Sequence, residues 1–325
     1  MDKASRIFVA GHRGLVGSAI SRRLKLDGFE HLIERPRDEL DLRESAAVER
    51  MFAEHRPDYV FLAAAIVGGI KANDSRPAEF IRDNLAIQTN IIHSAFKNGT
   101  RKLLFLGSSC IYPKLAPQPL REDYLLTGPL EPTNQWYAIA KIAGISMCQA
   151  YRKQYGFDAI AAMPTNLYGP GDNFDLQSSH VLPALIRKVH EARLAAADTV
   201  TVWGTGTPRR EFLHVDDLAD ACVFLMQAYS EESFVNIGWG EDVSIAELAR
   251  LVCEVEEFRG KLEFDTSKPD GTPRKLLDTT LINSLGWRPK IRLRDGITSV
   301  YAWYKANAAQ RSALLSDRGA RSRSV

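Results

Sequence analysis

Three glycines, at positions 11, 14 and 17, follow the first apolar run of the chain in the segment FVAGHRGLVGSAISRRL. Glycine at the first position permits a tight turn, at the second it lets backbone approach a pyrophosphate, and at the third it lets a helix pack closely on the strand. The N-terminus of that helix also attracts anions. Because the glycines come directly after a strand pattern, they predict a dinucleotide-binding loop rather than an ordinary glycine-rich turn.

Strand and helix patterns alternate along the first half of the chain. Four aliphatic runs are typical of buried strands, at 7–10, 59–65, 102–106 and 159–163. Four amphipathic patterns are typical of helices, at 15–26, 44–55, 85–97 and 137–155. Residues 31–35 are a weaker candidate for a second strand. Near-continuous apolar strands between amphipathic helices indicate a parallel sheet covered on both faces. We therefore predict an α/β fold of the Rossmann type, with a doubly wound parallel sheet.

The second half is less regular and predicts a smaller α/β unit. Helices are expected at 180–193, 215–229 and 244–255, and strands at 199–204 and 234–238. The last of these helices begins with a capping-box pattern, Ser244 with Glu247 three residues later. We expect an NADP-binding domain over residues 1–170, rejoined by parts of about 210–240, and a mainly substrate-binding domain over 171–310. The Arg- and Ser-rich residues 311–325 predict a frayed basic tail.

Composition argues against several classes of partner. The 325 residues include 42 basic and 40 acidic side chains, so no overall field favours nucleic acid. No apolar run approaches the roughly 20 residues that span a bilayer, and the N-terminus lacks the apolar stretch of a signal peptide. The four cysteines are widely spaced without a CxxC pair, which indicates neither a metal site nor a disulfide framework. We expect a reduced, cytoplasmic protein without a nucleic-acid or membrane partner.

The residues after the second strand bear on the choice of cofactor. An acidic residue there usually accepts the ribose hydroxyls of NAD, whereas a nearby arginine accommodates the phosphate of NADP. The chain offers Arg13 in the glycine loop and Arg35 and Arg37 in IERPRDEL, but it also offers Glu34. The arginines favour NADP, and the glutamate points the other way.

Three further residue types suit carbonyl chemistry at a nicotinamide. Tyr137 and Lys141 lie four residues apart on one predicted helix face, and Ser108 follows the strand at 102–106. A phenol can give its proton to a substrate oxygen while a neighbouring ammonium favours the phenolate, and a hydroxyl can hold the same oxygen. As a lone pair, Tyr and Lys at this spacing would more often be a packed ring beside a solvated amine.

These motifs together resemble the extended short-chain dehydrogenases/reductases. Within that group the segments GHRGLVGSAI, LGSSCIYPK, EPTNQWYAIAKIAG, PTNLYGPGDNF, SHVLPAL, REFLHVDD and KPDGTPRKLLD are similar to the GDP-L-fucose synthase family. The resemblance runs from Ile7 to about Tyr304. It implies an NADPH-dependent enzyme that converts GDP-4-keto-6-deoxy-D-mannose to GDP-L-fucose by epimerisation at C3 and C5 and reduction of the C4 ketone. It also implies a homodimer built on the helices at 85–97 and 137–155.

The resemblance carries family roles onto matching positions. It implies a reductase triad of Ser108, Tyr137 and Lys141, and an epimerisation base and acid at Cys110 and His180. It implies GDP-sugar contacts at Lys188, Trp203, Arg210 and Asp270. The implied cofactor-binding residues are Gly11, His12, Arg13, Gly14, Leu15, Val16, Gly17, Arg37, Asp38, Glu39, Leu40, Asp41, Leu42, Leu106, Gly107, Ser108, Ser109, Lys141, Pro164, Thr165, Asn166, Leu167 and His180.

Plainer roles are open for several of these residues. A free cysteine is usually a small buried hydrophobe, which is our interpretation of Cys148, Cys222 and Cys253. Cys110 differs because it lies at the end of a strand where such folds bind ligands. His180 could be a polar residue that caps the next helix. Trp203 and Arg210 could equally serve packing and surface ion pairs.

Two other functions compete with the one that the resemblance implies. A 4-epimerase or 4,6-dehydratase of the same fold would also act on a nucleotide sugar, but a dehydratase typically carries Asp-Glu where this chain has Ser109-Cys110. A non-catalytic NADP-binding regulator would have no need to keep all five reactive side chains.

Overall fold

Strands and helices alternate through the first half of the chain, as the aliphatic runs predict. The computed structural model describes residues 1–176 and 178–321, apart from the side chains of residues 70, 71 and 308–321. The strands are β1 (Ile7–Ala10), β2 (Leu32–Ile33), β3 (Tyr59–Leu62), β4 (Lys102–Leu106), β5 (Asp158–Pro164), β6 (Asn166–Tyr168), β7 (Thr199–Trp203), β8 (Arg209–His214), β9 (Val235–Ile237), β10 (Asp242–Ser244), β11 (Lys261–Asp265) and β12 (Arg274–Lys275). The α-helices are α1 (Leu15–Leu26), α2 (Ser45–His55), α3 (Ile70–Ser75), α4 (Pro77–Lys97), α5 (Gln135–Tyr155), α6 (Val181–Leu194), α7 (Val215–Ala228), α8 (Ile245–Val255), α9 (Thr280–Ser284) and α10 (Leu293–Arg321). Short 3-10 helices cover Ser109–Ile111, Glu122–Tyr124 and Pro132–Asn134.

A parallel sheet of order β2-β1-β3-β4-β5-β9 forms the centre of the structure. Alternate residues of β1 serve opposite faces: Phe8 packs with α2, α4 and α5, whereas Ile7 and Val9 pack with α1 and α7. Burial on both faces explains why these strands read as continuous apolar runs. The predicted doubly wound Rossmann-type fold is confirmed.

The longest departure from the predicted elements is at the start of α4, which begins at Pro77 rather than near residue 85. Its first two turns bury Asp83 and Asn84, which hides the apolar periodicity in the sequence. The amide of Asn84 donates to the carbonyl of Ile66 at 3.0 Å, and its Oδ1 accepts from the Ile66 amide at 2.9 Å. These polar groups are tolerated inside because their hydrogen bonds are made.

The second half builds a smaller α/β unit from two further sheets. Strand β8 pairs with β10, β12 and β6, and β7 pairs with β11. Helices α6, α8 and α10 pack together over these strands around a third apolar cluster. The capping box at Ser244 and Glu247 is present as predicted. Strand β8 was not predicted, because its first residues are Arg209, Arg210 and Glu211.

The order of the central sheet locates the ligand crevice. Strand β1 has β2 on one side and β3 on the other. The order in which successive strands are added across the sheet therefore reverses at β1. Ligands of open α/β sheets bind beyond the carboxyl ends of the strands at such a reversal. The loops after β1, β3, β4 and β5 meet at this edge.

Two further predictions concern membrane-spanning helices and the C-terminal tail. None of the helices among the described residues is long and apolar enough to cross a membrane. Residues 311–321 of the predicted frayed tail are helical as the end of α10, without described side chains, and residues 322–325 lie outside the described residues.

Candidate active site

The glycine loop between β1 and α1 has the shape of a dinucleotide cradle. Gly11 has a φ of +86°, and a Cβ atom there would lie 2.9 Å from the backbone of Ala64. A Cβ atom on Gly17 would lie 2.1 Å from the carbonyl oxygen of Gly11, so the first turn of α1 packs directly on the loop. Gly14 occupies the N-cap position, where no side chain bonds the helix. The first amides of α1 therefore remain available to a phosphate.

Glu34, the residue that argued for NAD, is engaged with a neighbouring cation. The ammonium of Lys25 donates to its two carboxylate oxygens at 3.1 and 3.2 Å. Burial alone would raise the pKa of Glu34, but the hydrogen bonds and the charge of Lys25 hold the pKa below its usual value. The carboxylate is thus ionised and its charge is balanced within the protein.

The three arginines near the same strand end are only loosely held. Arg13 lies 3.5 Å from Asp38, and both side chains are exposed. Arg35 lies 3.1 Å from a ring nitrogen of His55, and Arg37 is exposed. Guanidinium groups in this state can turn toward an incoming phosphate.

Hydrogen bonds to helix α4 hold the C-terminal half of segment 37–42 in place. Arg43 donates to Asp41 at 2.6 Å and to Asp83 of α4 at 3.0 Å. The hydrogen bond from Arg43 lowers the pKa of Asp41 to about 2. The carbonyl of Leu42 also accepts from Asn90 of α4 at 3.0 Å. Helix α4 therefore fixes the backbone of this predicted cofactor-binding segment.

Ser108, Tyr137 and Lys141 meet at the carboxyl end of β4. The ammonium of Lys141 donates to the carbonyl of Leu106 at 2.7 Å and lies 5.7 Å from the ring centroid of Tyr137. Ser108 hydrogen-bonds with Tyr137 and also accepts from the amide of Cys110 at 3.5 Å. The three side chains predicted to act together are thus brought together.

The electrostatics of this group follow from its burial. Desolvation lowers the pKa of Lys141 to about 8, against the opposing effect of Cys110. Desolvation, and then the charge of Cys110, raises the pKa of Tyr137, while its hydrogen bond with Ser108 acts in the other direction. At neutral pH the phenol therefore keeps its proton and the lysine is mostly charged.

Cys110 lies in the 3-10 helix that follows β4 and is 6% exposed. Burial raises the pKa of its thiol, while Lys275, Ser108 and Lys141 act to lower it. The other three cysteines are buried, and the cause of their raised pKa values is burial first in each case. Among the four cysteines, Cys110 is the one in which two lysines oppose the effect of burial on the pKa.

His180 stands at the N-cap position of α6, but its side chain makes no capping hydrogen bond. The ring is accessible to solvent, yet protein surrounds it closely enough that desolvation lowers its pKa, and the charge of Lys275 lowers it further. Its loop contacts the loop after β3 through a hydrogen bond from the Gly69 amide to the carbonyl of Ser178, at 3.3 Å. The capping role considered from the sequence is therefore not the role of this ring.

Lys275 is a site residue that the sequence analysis missed. It shares with Cys110 a cavity of about 10 Å³, and its charge acts on both Cys110 and His180. In β12 it lies opposite Arg210 of β8. Burial lowers the pKa of its ammonium, which Cys110 opposes. Nothing local in KPDGTPRKLLD marks this lysine, because the pairing of β12 with β8 brings it into the site.

The predicted nucleotide contacts line the smaller unit. Lys188 lies 5.0 Å from the ring centroid of Trp203, which is 55% exposed, and Lys268 lies 5.8 Å from the same centroid. Asp270 accepts from the amide and from the hydroxyl of Thr205, at 2.7 and 2.9 Å. An exposed aromatic face beside a fixed carboxylate suits a purine base, which stacks and donates hydrogen bonds.

Glu211 connects the last two predicted groups, the substrate-binding Arg210 and the cofactor-binding segment 164–167. Burial lowers the pKa of Arg210, and Asp270 acts against that change. On the cofactor side, Thr165 and Asn166 of the segment 164–167 both donate to the carbonyl of Glu211, at 3.3 and 2.8 Å. The site therefore spans both units of the fold. Over the described residues no cluster of His, Cys, Asp or Glu could hold a metal ion.

Comparison with known proteins agrees with this geometry. A family model described as "NAD dependent epimerase/dehydratase family" matches residues 7–238. GDP-L-fucose synthase 1 of Arabidopsis thaliana is 63% identical over 95% of this chain and 96% of its own length. GDP-L-fucose synthase of Escherichia coli strain K12 is 55% identical over 93% of this chain and 97% of its own length.

A solved structure adds a ligand to the comparison. The GDP-L-fucose synthetase of Naegleria fowleri bound to NADP superposes with a TM-score of 0.87 at 28% identity, covering 95% of this chain and 96% of that one. The chain belongs to the NAD dependent epimerase/dehydratase family and, within it, to the GDP-L-fucose synthase family.

Proposed function

We propose that this protein converts GDP-4-keto-6-deoxy-D-mannose to GDP-L-fucose with NADPH, by epimerisation at C3 and C5 followed by reduction at C4. The observation that carries the proposal is the position of Cys110. It is buried next to Ser108, Tyr137 and Lys141, and two lysines act on its charge. A reductase alone would need the Ser, Tyr and Lys but no thiol. A thiol at this position adds a base to a reductase site.

The residues fit NADPH as the cofactor. The uncapped N-terminus of α1 offers amides to the pyrophosphate, and Gly11 and Gly17 leave no room for side chains there. Arg13, Arg35 and Arg37 would hold the phosphate on the adenosine ribose, while Lys25 neutralises Glu34. When bound, NADPH supplies the hydride that reduces the C4 ketone.

The epimerisation follows from the acidity of the protons next to the ketone. The thiolate of Cys110 removes the proton from C3 or C5, and the resulting enolate oxygen is held by Ser108 and Tyr137. The imidazolium of His180 returns a proton to the opposite face of the same carbon. Burial raises the pKa of the Cys110 thiol, and the positive charges of Lys275 and Lys141 offset part of that rise, which increases the share of thiolate.

The reduction uses the protonated phenol. Tyr137 donates its proton to the C4 oxygen as hydride arrives at C4, so an alcohol forms and a phenolate remains. Its raised pKa keeps the proton available at neutral pH. The ammonium of Lys141 stabilises the phenolate and helps to restore its proton.

The rival functions predict different chemistry at the same position. A dehydratase requires an acid and a base near C5 and C6 of the sugar, and this chain has Ser109 and Cys110 in the place of Asp-Glu. A 4-epimerase has no use for a second acid–base pair. A non-catalytic regulator would bind NADPH without turnover.

One assay separates these functions. Purified protein is mixed with NADPH and GDP-4-keto-6-deoxymannose, NADPH consumption is followed, and the product is identified. GDP-L-fucose formed in equal amount to the NADPH consumed supports the proposal. A C4-reduced sugar without inversion at C3 and C5 would leave only a reductase, and no consumption with any keto sugar would support the regulator.

We also propose the assembly, the domain division and the setting of the chain. A C2 homodimer through α4 and α5 is supported by the exposed Trp136, Ile139 and Tyr155 on α5. The division at about residue 170 is supported by the separate apolar cluster of the smaller unit. The four unpaired cysteines favour the cytoplasm.

A further inference from the structure

Glu211 is a carboxylate with no exposed surface in the middle of β8. One of its oxygens accepts from the amide of Gly240 at 2.7 Å, and the other accepts from the amide of Leu277 at 3.0 Å. A Cβ atom on Gly238 would lie 2.2 Å from the carboxylate, so the loop after β9 closes tightly over it. A buried carboxylate is costly unless such hydrogen bonds are made.

The two amides belong to segments that are distant along the chain. Gly240 follows β9, which is the last strand of the central sheet, and Leu277 follows β12, which carries Lys275. Strand β12 has only two residues paired with β8. Its continuation is held on the other side by hydrogen bonds with the loop at Leu120, from the amide of Leu120 at 2.7 Å and to its carbonyl at 2.8 Å.

The carboxylate therefore holds the C-terminal side of a short strand, whose N-terminal side is held by the bond from the Arg209 amide to the Pro273 carbonyl, at 2.8 Å, and by the ion pair of Arg274 with Asp242. Arg210 is the chain neighbour of Glu211, and Lys275 lies opposite Arg210 in the register. Arg210 is proposed to contact the GDP-sugar and Lys275 lies beside Cys110, so their separation must be fixed, because misplacement by about 1 Å can cost two orders of magnitude in rate. The hydrogen bond to Leu277 is the contact of the Glu211 side chain that holds β12 against β8.

We infer that Glu211 is a positioning residue for the GDP end of the substrate: its carboxylate holds β12 on β8 and so sets Lys275 beside Arg210. This rests on the function proposed above. The carbonyl of Glu211, which every side-chain variant keeps, accepts from Thr165 and Asn166 of the cofactor segment, whereas the carboxylate interacts there with the Thr165 hydroxyl alone. Changing the side chain should therefore affect the sugar nucleotide far more than NADPH.

Glu211→Gln tests this role with little change in volume. The side-chain oxygen of the glutamine should accept the shorter bond, from the Gly240 amide. Its NH2 group then faces the Leu277 amide, so that two donors oppose each other. We expect the Kd for GDP to rise about tenfold and the Kd for NADPH to change less than twofold. Hydrogen exchange in residues 271–278 should quicken, since the Leu277 amide loses its acceptor.

Asp217→Asn is the matched control. Asp217 is a buried carboxylate that accepts from two backbone amides of a distant segment, those of Lys290 and Ile291, at 3.1 and 2.8 Å. Asp217→Asn should lower the free energy of unfolding for the same reason, because a backbone amide loses its acceptor, while the Kd for GDP stays unchanged. A merely structural role for Glu211 predicts that both variants weaken GDP binding equally, or that neither does.

The outcomes remain separable if the variant folds poorly or if the proposed function is wrong. Glu211→Asp draws the carboxylate back but keeps its charge. It should also lower the affinity for GDP selectively, but by a smaller factor. Wild-type affinity for GDP in Glu211→Gln, or an equal loss of NADPH affinity, would overturn the inference. Failure of the wild-type protein itself to bind GDP would instead refute the proposed function, which is a different result.

Discussion

Lys275 and Cys110 line the same small cavity, although they lie in different halves of the chain and in different units of the fold. Burial raises the pKa of the thiol, and the charge of this lysine is the first effect that opposes it. The same charge lowers the pKa of His180, after burial itself. One lysine thus acts on both groups that are proposed to move protons at C3 and C5.

Lys275→Met should move the pH profile of epimerisation without simply reducing its height. Exchange requires the thiolate of Cys110 together with the imidazolium of His180. The population of that ion pair rises with pH up to the pKa of His180, is flat until the pKa of Cys110, and falls above it. Because Lys275 lowers both pKa values, its removal should shift both limbs to higher pH. Deuterium exchange into C3 and C5 across pH measures this shift.

Arg274→Met is the control for that experiment. Arg274 precedes Lys275 in β12 and lines the same cavity, but its guanidinium is engaged with Asp242, and it is not among the charges that shift the pKa values of Cys110 and His180. It should leave both limbs of the profile in place. Lys275→Met with an unshifted profile of lower height would show that the lysine serves only substrate binding.

Tyr137→Phe should separate reduction from epimerisation. The phenylalanine cannot donate a proton to the C4 oxygen, so NADPH consumption should fall by roughly 10²–10⁴-fold. Exchange at C3 and C5 should persist, slower by about tenfold, because the enolate loses one of its hydrogen-bond donors while Cys110 and His180 remain. Loss of both activities to the same extent would contradict the division of roles.

Arg37→Ala should weaken NADPH binding selectively. A charge-assisted contact to the ribose phosphate is worth about one to two decades in affinity, whereas NADH has no such phosphate. Titration with each nucleotide measures the two Kd values. Arg101→Ala, an exposed arginine at the amino end of β4 that pairs with Asp58, should change neither. Wild-type NADPH affinity in Arg37→Ala would remove this residue from the phosphate site.

Ile139→Arg should convert the proposed dimer to monomers. Ile139 is 38% exposed on α5 and has Trp136, at 42%, on the same face of the helix. A charge buried in such an interface is costly. The solution mass at micromolar concentration measures the effect. Leu194→Arg, at an exposed apolar residue on α6, is the control that should stay dimeric. A monomeric wild-type protein would overturn the proposed assembly itself.

Local signals predicted the parts of the site that depend on neighbours along the chain. The glycine spacing gave the β1–α1 turn, because the positive φ of Gly11 and the close approach at Gly17 are local requirements. The four-residue spacing of Tyr137 and Lys141 gave their shared helix face. Parallel strands buried on both faces gave the central sheet.

The parts that depend on long-range pairing were not predictable in the same way. Strand β8 begins with charged residues, and the burial of Glu211 depends on the amides of Gly240 and Leu277, which come from later parts of the chain. Lys275 and Glu211 enter the site through the register of β12 on β8, and a two-residue strand has no sequence pattern of its own. The balance between Glu34 and the arginines likewise depends on Lys25, in the last turn of α1, which binds the Glu34 carboxylate.

The central claim is that Cys110 is the base that removes protons from C3 and C5. Cys110→Ser is the direct test, because a serine keeps the size and the hydrogen bonding of the side chain but has no accessible ionised form near neutral pH. The measurement is deuterium exchange from solvent into C3 and C5 of GDP-4-keto-6-deoxymannose, with NADPH affinity measured alongside. The account predicts that exchange is largely abolished while the fold and the NADPH affinity stay unchanged. Formation of GDP-L-fucose at the wild-type rate by Cys110→Ser would show that the cysteine only fills space.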